Sequence, residues 1–230
     1  MKKINFLIAI LLFSLCVNAQ KVNPNYVGVQ IDTIYLFSPF GFVTTIKNNE
    51  RQTSPEFTQS VRDTLNKLIL GQFPAKGIII NDSMLINDFK TQDNIIGTLE
   101  KIKKIDNNVF PMVPIGKDLD SIISKYPGRY YGFLYYNGFM NNQIKRSMAA
   151  SITLMVVTSV LTLGMVTVYM IPLPSVIDAT FVVVDKKEHK FLYYSNKVQT
   201  KSFSMEVNRH KLVDKILKKY KKTIEVTNVK

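Results

Sequence analysis

The sequence predicts an α/β fold: a single mixed sheet flanked by helices, with a long apolar insertion before a C-terminal β-hairpin and helix. Stretches of strand character alternate with stretches of helical periodicity, in the order strand–helix–strand–helix–helix–strand–hairpin–helix. An uncharged and almost wholly apolar run, residues 147–177, separates the last central strand from the hairpin. A chain of 230 residues has the length of one domain preceded by a leader.

The first elements are a strand and a strongly signalled helix. Residues 26–37 end in an aromatic and β-branched run typical of a strand, residues 38–41 punctuate it, and a polar loop is expected around residues 48–50. The Ser-Pro pair at 54–55 is an N-cap followed by proline at the first helical position. Gly71 is the expected end of this helix. Its apolar positions recur at helical spacing: Phe57, Val61, Leu65, Leu68 and Ile69.

The middle of the chain predicts a strand, two helices and an aromatic strand. Residues 76–80 have the composition of a short buried strand, and residues 81–83 are the expected start of a second helix. The apolar turns of that helix are Ile95, Leu99 and Ile102. Residues 101–108 are polar and lysine-rich, typical of a solvated face or loop. A third helix is expected over residues 118–126, followed by a strand at residues 130–136.

Beyond the apolar run, residues 179–184 and 190–194 flank a short polar connection and predict a β-hairpin. The chain finishes with an amphipathic helix over residues 207–222. Its apolar stripe is Leu212, Val213, Ile216 and Leu217. The strands at 130–136 and 179–184 are both too apolar for sheet edges, so we expect them to be neighbours. The apolar run is then a connection inside one domain.

The N-terminus has the features of a secretory signal peptide. Two lysines precede an apolar core over residues 4–17, and small or permissible residues lead to Ala19. Cleavage after Ala19 makes residues 1–19 the leader and residues 20–230 the mature domain. Lipidation at Cys16 is the alternative, but a leucine precedes this cysteine where a small residue is required. Both readings predict export to the cell envelope, on its periplasmic face.

The charge and cysteine content limit which ligands and cross-links the protein can have. The formal net charge is +13, and the excess is concentrated after the apolar run: residues 20–146 carry +4 and residues 172–230 carry +7. An acidic partner is one explanation and a lysine-rich genome composition is the other. Lysines outnumber arginines, which makes nucleic acid an unlikely ligand. Cys16 is the only cysteine, so the cleaved chain would hold no disulfide and no cysteine-ligated metal.

The order of elements resembles a known group. The aromatic strand at 130–136, the apolar connection and the segment 185–194, with its form of Asp, short turn and apolar-aromatic strand, resemble the TolB amino-terminal domain. They also resemble periplasmic lipoproteins thought to share that fold. The resemblance covers about residues 30–220 as a pattern of elements. It implies an accessory part of envelope machinery that binds other proteins, although this chain lacks a proper lipidation site.

The apolar run permits three interpretations. Residues 148–171 are long enough to cross a hydrocarbon core of about 30 Å as one helix, and the positive C-terminal tail then satisfies the positive-inside rule. Alternatively the run folds back near Gly164, which keeps both flanks on one side of the membrane. An ordinary buried helix is the third interpretation. The first two predict contact with membrane lipid through Met148, Ile152, Leu154, Met155, Val156, Val160, Leu161, Leu163, Met165, Val168, Tyr169 and Met170.

The last helix supplies a second candidate surface. Its lysines could contact an acidic ligand such as anionic lipid: Lys211, Lys215, Lys218, Lys219, Lys221 and Lys222. The alternative is a solvated face on a helix that packs by its apolar stripe. Partners consistent with the sequence are membrane lipid, another envelope protein and a second copy of the chain.

No pattern in the sequence indicates catalysis. His189 and His210 are expected to be solvated, and the residue pair Asp118 and Asp120 would face different ways on a helix. Three acids have the positions of caps and turn residues: Asp82, Asp88 and Asp93. Four tyrosines, Tyr130, Tyr131, Tyr135 and Tyr136, belong either to the core or to an interfacial belt. We therefore expect no cofactor, no metal and no enzyme activity.

The sequence thus favours a non-enzymatic accessory or scaffold protein of the envelope, held at a membrane through residues 147–177. The first alternative is a peripheral binding module for an acidic ligand, working through the C-terminal helix. A hydrolase with a carboxylate site is a remaining alternative that no motif supports.

Overall fold

A computed structural model of the chain describes residues 20–24, 31, 33–47, 50–72, 79–84, 86, 88–106, 109–140, 175–199 and 206–225. These residues form the strands β1 (Gln20–Val22), β2 (Thr33–Phe37), β3 (Phe40–Lys47), β4 (Glu50–Thr53), β5 (Ile79–Met84), β6 (Tyr130–Met140), β7 (Val176–Asp185) and β8 (Lys190–Gln199). They also form the helices α1 (Pro55–Gln72), α2 (Phe89–Lys104), α3 (Lys117–Ile123) and α4 (Glu206–Glu225). The predicted single mixed sheet is confirmed.

Strand β6 is the spine of the sheet. One of its edges pairs with β7 in the antiparallel direction, and β7 continues to β8 and the short β1. Its other edge pairs with two strands placed end to end, β2 beside its first residues and β3 beside its second half, both parallel. β5 lies outside β2 and β4 lies outside β3. The predicted neighbours 130–136 and 179–184 are therefore adjacent strands.

Of the polar loop predicted at residues 48–50, residues 48–49 lie outside the described residues, and Glu50 begins β4, which forms a hairpin with β3. The turn signals at Ser38 and Pro39 only interrupt the pairing along β6, and the strand resumes at Phe40. Gly41 permits this close passage. Its φ is 146°, and a Cβ at this position would lie 1.8 Å from the Tyr136 carbonyl oxygen.

Several predicted boundaries shift. Strand β5 runs over Ile79–Met84, so residues 81–83 belong to a strand and do not begin a helix. Helix α2 instead begins at Phe89, where the Asp88 carboxylate accepts from the Thr91 amide at 2.9 Å as the N-cap. The prediction of Asp88 as a cap is confirmed. The same prediction for Asp82 is wrong, because Asp82 lies inside β5. Helix α2 also extends to Lys104, into the segment predicted as a polar face or loop.

Helices cover both faces of the sheet and create two apolar cores. On one face α1 and α4 bury their stripes against the strands, and the predicted stripe of α4 is wholly buried. On the other face α2 and α3 cover an aromatic core. The four tyrosines of β6 are all buried, which confirms the core interpretation and contradicts the interfacial belt. The domain is thus a three-layer α/β/α arrangement.

The apolar run leaves and re-enters the sheet between adjacent strands. β6 ends at Met140, β7 begins at Val176, and Phe139 pairs with Val176. Residues 141–174 lie outside the described residues. Val176 and Ile177, predicted as the end of the apolar run, belong to β7, and Ile177 is buried in the core. In the described part of the chain, every helix is too short or too polar to cross a membrane.

Strand β1 ties the start of the predicted mature chain to the end of α2. The Lys21 ammonium donates to the carbonyl oxygens of Ile102 (2.7 Å), Lys103 (3.4 Å) and Ile105. Carbonyls at a helix C-terminus lack intrahelical partners and carry partial negative charge, so a lysine is well suited to bind them. Burial lowers the pKa of Lys21.

Candidate functional site

A cavity on the α1/α4 face lies between the second half of α1 and the first turns of α4. It has a volume of about 480 Å³. The residues that line it are Thr64, Lys67, Leu68, Gly71, Gln72, Arg209 and His210. We call it the α1/α4 groove. Among these described lining residues none is acidic, while Lys67 and Arg209 are cationic and His210 can become so.

Helical periodicity explains how α1 supplies its side of the groove. Thr64, Leu68 and Gly71 recur at spacings of four and three, which places them along one line of the helix surface. The neighbouring line is the buried stripe that holds α1 on the sheet: Val61, Leu65 and Ile69. Gly71 leaves the groove open, since no described atom lies within 4 Å of where its Cβ would stand.

Arg209 crosses from α4 towards α1. Its Nη1 donates to Thr64 Oγ1 at 3.2 Å, which holds the guanidinium across the groove. Its Nε is buried and finds no hydrogen-bond acceptor among the described residues. A buried N–H without an acceptor costs free energy, and an anion in the groove could supply the missing oxygen.

All six lysines predicted to contact an acidic ligand belong to α4, the helix that also carries Arg209. Lys211, Lys215 and Lys218 are exposed, and the side chains of Lys219, Lys221 and Lys222 are outside the described part. The apolar stripe of α4 is buried in the core, so the helix packs by that stripe. This agrees with the alternative in which the lysines form a solvated face of a packing helix.

Sequence reasoning missed the groove because its members are far apart in the chain. Arg209 and Thr64 are separated by 145 positions. The cationic character of α4 was visible in the sequence, but its proximity to Lys67 depends on how two helices pack on one face of the sheet.

The end of the sheet next to the apolar run carries a polar network. The Lys103 ammonium lies 3.1 Å from an Asp178 carboxylate oxygen, and both side chains are about one-third exposed. Asn196 donates to Asp178 and, at 2.8 Å, to Thr180 Oγ1. This network ties the end of α2 to β7 and β8. The residues predicted to contact the membrane all fall within 141–174, outside the described residues.

The opposite end of the sheet is held by an ion pair. Asp185, wholly buried, accepts two hydrogen bonds from Arg129 Nε and one from its Nη2 at 2.7–3.1 Å. It also accepts from the Lys187 amide at 2.8 Å. The Lys186 ammonium donates to the Tyr126 carbonyl oxygen at 2.9 Å. These contacts fasten the β7–β8 turn to the segment before β6.

The remaining candidates for catalysis are surface pairs. His189 Nδ1 lies 2.9 Å from Asp120 Oδ1, and both side chains are well exposed, so this histidine is solvated but not without a partner. Asp118 accepts from the Asn94 amide group at 3.3 Å. Burial raises the pKa of Tyr135 and Tyr136 to about 12, so both hydroxyls remain protonated well into the alkaline range. Within the described ranges no three acids or histidines are grouped as metal ligands.

The fold is that of a mixed α/β domain, and comparisons with known proteins add weak likenesses. No protein-family model and no curated protein matches the chain. Among solved structures it is similar to PelC from Paraburkholderia phytofirmans, a dodecamer. A single-substitution PelC variant gives a TM-score of 0.36 at 11% identity, covering 87% of this chain and 94% of PelC. A second PelC crystal form gives 0.35 at 12% identity, covering 87% and 93%.

A further solved structure is lipoprotein GNA1162 from Neisseria meningitidis. Its TM-score is 0.29 at 7% identity, covering 76% of this chain and 84% of that one. These values describe a weak resemblance at the level of the fold. The TolB amino-terminal domain is not named by these structures, so the resemblance to it stays a prediction of the sequence.

Proposed function

We propose that this protein is a non-enzymatic accessory or scaffold component of the cell envelope, exported by its leader and held at a membrane by the apolar run. The observation that carries the proposal is the position of that run. It is a connection between two adjacent central strands of a folded domain, and it contains no charged residue. A contiguous apolar stretch of this length is unusual on a soluble monomer and typical of membrane or partner contact.

The sheet supports the folded-back interpretation of the run. β6 and β7 are paired from Tyr130–Asp185 to Phe139–Val176, so both flanks of the run are held on one side. A single crossing would separate β6 from β7, β8 and α4 by a bilayer, and a hairpin with one helix is too small to fold alone. We infer that residues 147–175 enter and leave the membrane from the same side.

The test is to remove the run without breaking the domain. Because Phe139 and Val176 are opposed in an antiparallel pair, an Asn-Gly turn can replace residues 141–174 and close the hairpin. We expect the native protein to require detergent for release from membranes, and the shortened protein to be released by carbonate or high salt. A second variant, with a Gly-Ser segment of the native length, controls for chain length.

Two outcomes contradict the proposal. Release of the native protein by salt or carbonate alone would show that the run does not hold it at the membrane. If the shortened protein keeps its circular dichroism spectrum but still requires detergent for release, the protein is attached to the membrane through another part of the chain.

A second function, binding of an acidic ligand, is favoured by the α1/α4 groove. The groove combines Lys67, Arg209 and His210 without an acidic lining residue, and Arg209 Nε has no acceptor among the described residues. These observations support an anion site at the start of α4. Phosphate or carboxylate groups suit a guanidinium of this kind.

The groove is tested with polyphosphate as the probe. We expect Arg209→Gln to weaken binding about tenfold, which corresponds to about 1.4 kcal/mol, and Lys218→Gln to weaken it much less. Both variants remove one positive charge from α4, so a general charge effect would affect them equally. Fluorescence anisotropy at rising salt measures the affinities. Equal losses in the two variants would reject the groove, and the absence of any salt dependence would reject the acidic ligand.

A further inference from the structure

Different segments of the chain connect to the sheet at its two ends. Met140 and Val176, the two flanks of the apolar run, are at one end of β6 and β7. β8 ends at Gln199 at this same end, since Gln199 pairs with Ile177. We call it the junction end. The other end contains the β7–β8 turn, residues 186–189, and we call it the turn end.

The start of β1 points in the same direction. β1 is antiparallel to β8, with Gln20 opposite Ser195 and Val22 opposite Tyr193. The chain before Gln20 therefore leaves β1 towards Gln199 and the junction end. In the uncleaved chain both strongly apolar stretches of the sequence, residues 4–17 and the run, are thus joined to the domain in the direction of one end, and after cleavage the run alone is.

Among the described residues, the β3–β4 hairpin extends furthest beyond the junction end of β6. Thr45 pairs with Met140, the last residue of β6, while the pairs Ile46–Arg51 and Lys47–Glu50 continue beyond it. Two residues of strand extend about 7 Å past the end of β6. Arg51 is exposed, and its guanidinium lies 4.7 Å from the centre of the Phe139 ring.

We propose that the junction end faces the membrane, with the paired ends of β3 and β4, Lys47 and Glu50, at the lipid headgroups. The turn end then faces away from the lipid. The proposal rests on membrane attachment through the apolar run and adds the orientation of the domain.

The dimensions make the orientation measurable. β6 spans 11 residues, so the two ends are about 35 Å apart along the strands. This separation exceeds the reach of a quencher attached to a lipid headgroup. Turn-end contacts between Arg129 and Asp185, and between Lys186 and Tyr126, keep the β7–β8 turn fixed to the domain.

The experiment places one fluorophore at each end of the full chain. Cys16 is the only cysteine, so Cys16→Ser leaves a background for single cysteines. Glu50→Cys labels the junction end and Glu188→Cys the turn end, and both replace an exposed glutamate. A second pair uses two other exposed positions: Gln52→Cys, opposite Thr45 at the junction end, and Lys125→Cys near the turn end. Each protein is reconstituted into phosphatidylcholine and phosphatidylglycerol vesicles with nitroxide-labelled headgroups.

We expect strong quenching of the labels at positions 50 and 52, and quenching at least fivefold weaker at positions 188 and 125. Equal quenching at both ends, the reverse order, or no quenching in protein that floats with the vesicles would overturn the orientation while leaving membrane attachment intact. Protein that fails to float with the vesicles would overturn the attachment and the orientation together. The second pair guards against a misfolded Glu50→Cys variant.

Discussion

At the scale of single residues, the ion pair of Arg129 and Asp185 illustrates how this fold keeps a carboxylate in its interior. Asp185 is wholly buried at the end of β7, and an uncompensated charge there would be costly. Arg129 and two backbone amides of the following turn supply the compensation. The aspartate therefore has a structural role that sequence inspection could not distinguish from an acid at a turn.

Removal of the arginine is expected to destabilise the domain. Arg129→Met leaves the buried carboxylate with backbone donors only, and we expect the free energy of unfolding to fall by about 2–3 kcal/mol. Urea denaturation measures the change. Lys187→Met, an exposed neighbour in the turn, is the control and should remain within about 0.5 kcal/mol of the native protein. A similar effect of both substitutions would argue against the ion pair.

Buried tyrosines predict a loss of stability in alkali. Burial raises the pKa of Tyr135, Tyr136 and Tyr193 to about 12, from 10.0 in the unfolded chain. Between these values the native state holds protons that the unfolded state has lost, so stability is full below pH 10 and falls as the pH approaches 12. Lys21 acts in the opposite direction, because its pKa is lowered from 10.5, but it is a single group.

The Tyr193→Phe variant tests this dependence. It removes one of the titrating hydroxyls, so the free energy of unfolding should fall less steeply with pH above 10 than in the native protein. Chemical denaturation at a series of pH values measures both slopes. Below pH 9 the two slopes should coincide, and an unchanged slope above pH 10 would contradict the role of the buried hydroxyl.

At the scale of the elements, two glycines affect stability for different reasons, one in a strand and one in a helix. Gly41 in β3 has a positive φ and lies directly against the Tyr136 backbone, whereas Gly97 lies in α2 with no described atom near its missing Cβ. The same substitution therefore has opposite consequences at the two positions. One glycine is required by a close approach of two strands, and the other lowers the stability of its helix.

We expect Gly97→Ala to raise the free energy of unfolding by about 0.5–1 kcal/mol, as an alanine replaces a glycine inside a helix. Gly41→Ala should lower it by about 3 kcal/mol or more, because its Cβ would overlap the Tyr136 carbonyl. Thermal and urea unfolding of the two variants measure both values. Tolerance of Gly41→Ala would mean that β3 and β6 do not approach as closely as described.

At the scale of the whole molecule, the sheet changes the meaning of the apolar run. Taken alone, residues 148–171 satisfy the length of a spanning helix, and the basic tail agrees with a cytoplasmic C-terminus. The pairing of β6 with β7 holds the two flanks together and supports a run that returns. Membrane attachment and a complete domain on one side are then compatible.

Local patterns predicted those parts of the fold in which one signal dominates. The Ser54–Pro55 cap located α1, and the apolar stripe of α4 was read correctly as a packing surface. Apolar composition alone made β6 and β7 neighbours. The predictions are wrong where two local patterns compete. The turn residues Ser38 and Pro39 hide the continuation of the chain into β3. Of the two aspartates predicted as caps before α2, Asp88 is the cap and Asp82 lies in β5.

Of the candidate sites, the sequence predicted composition but not position. The positive charge of α4 follows from its lysines, yet the α1/α4 groove depends on the proximity of Arg209 to Thr64 across 145 positions. Such contacts are set by how two helices align their buried stripes on one sheet face. No periodicity within either helix carries that information.

By itself, the sequence of this protein predicted a leader and determined the uncharged run, the basic C-terminal helix and the identity of most strands and helices. These properties are local, since charge, hydrophobicity and capping act within a few residues. Only the tertiary structure decided that β2 and β3 share one edge of β6, that Arg209 reaches α1, and that both flanks of the run meet at one end of the sheet. Strand pairing and helix packing join distant segments by complementary shape and hydrogen bonding, and these become visible only when the segments are in contact.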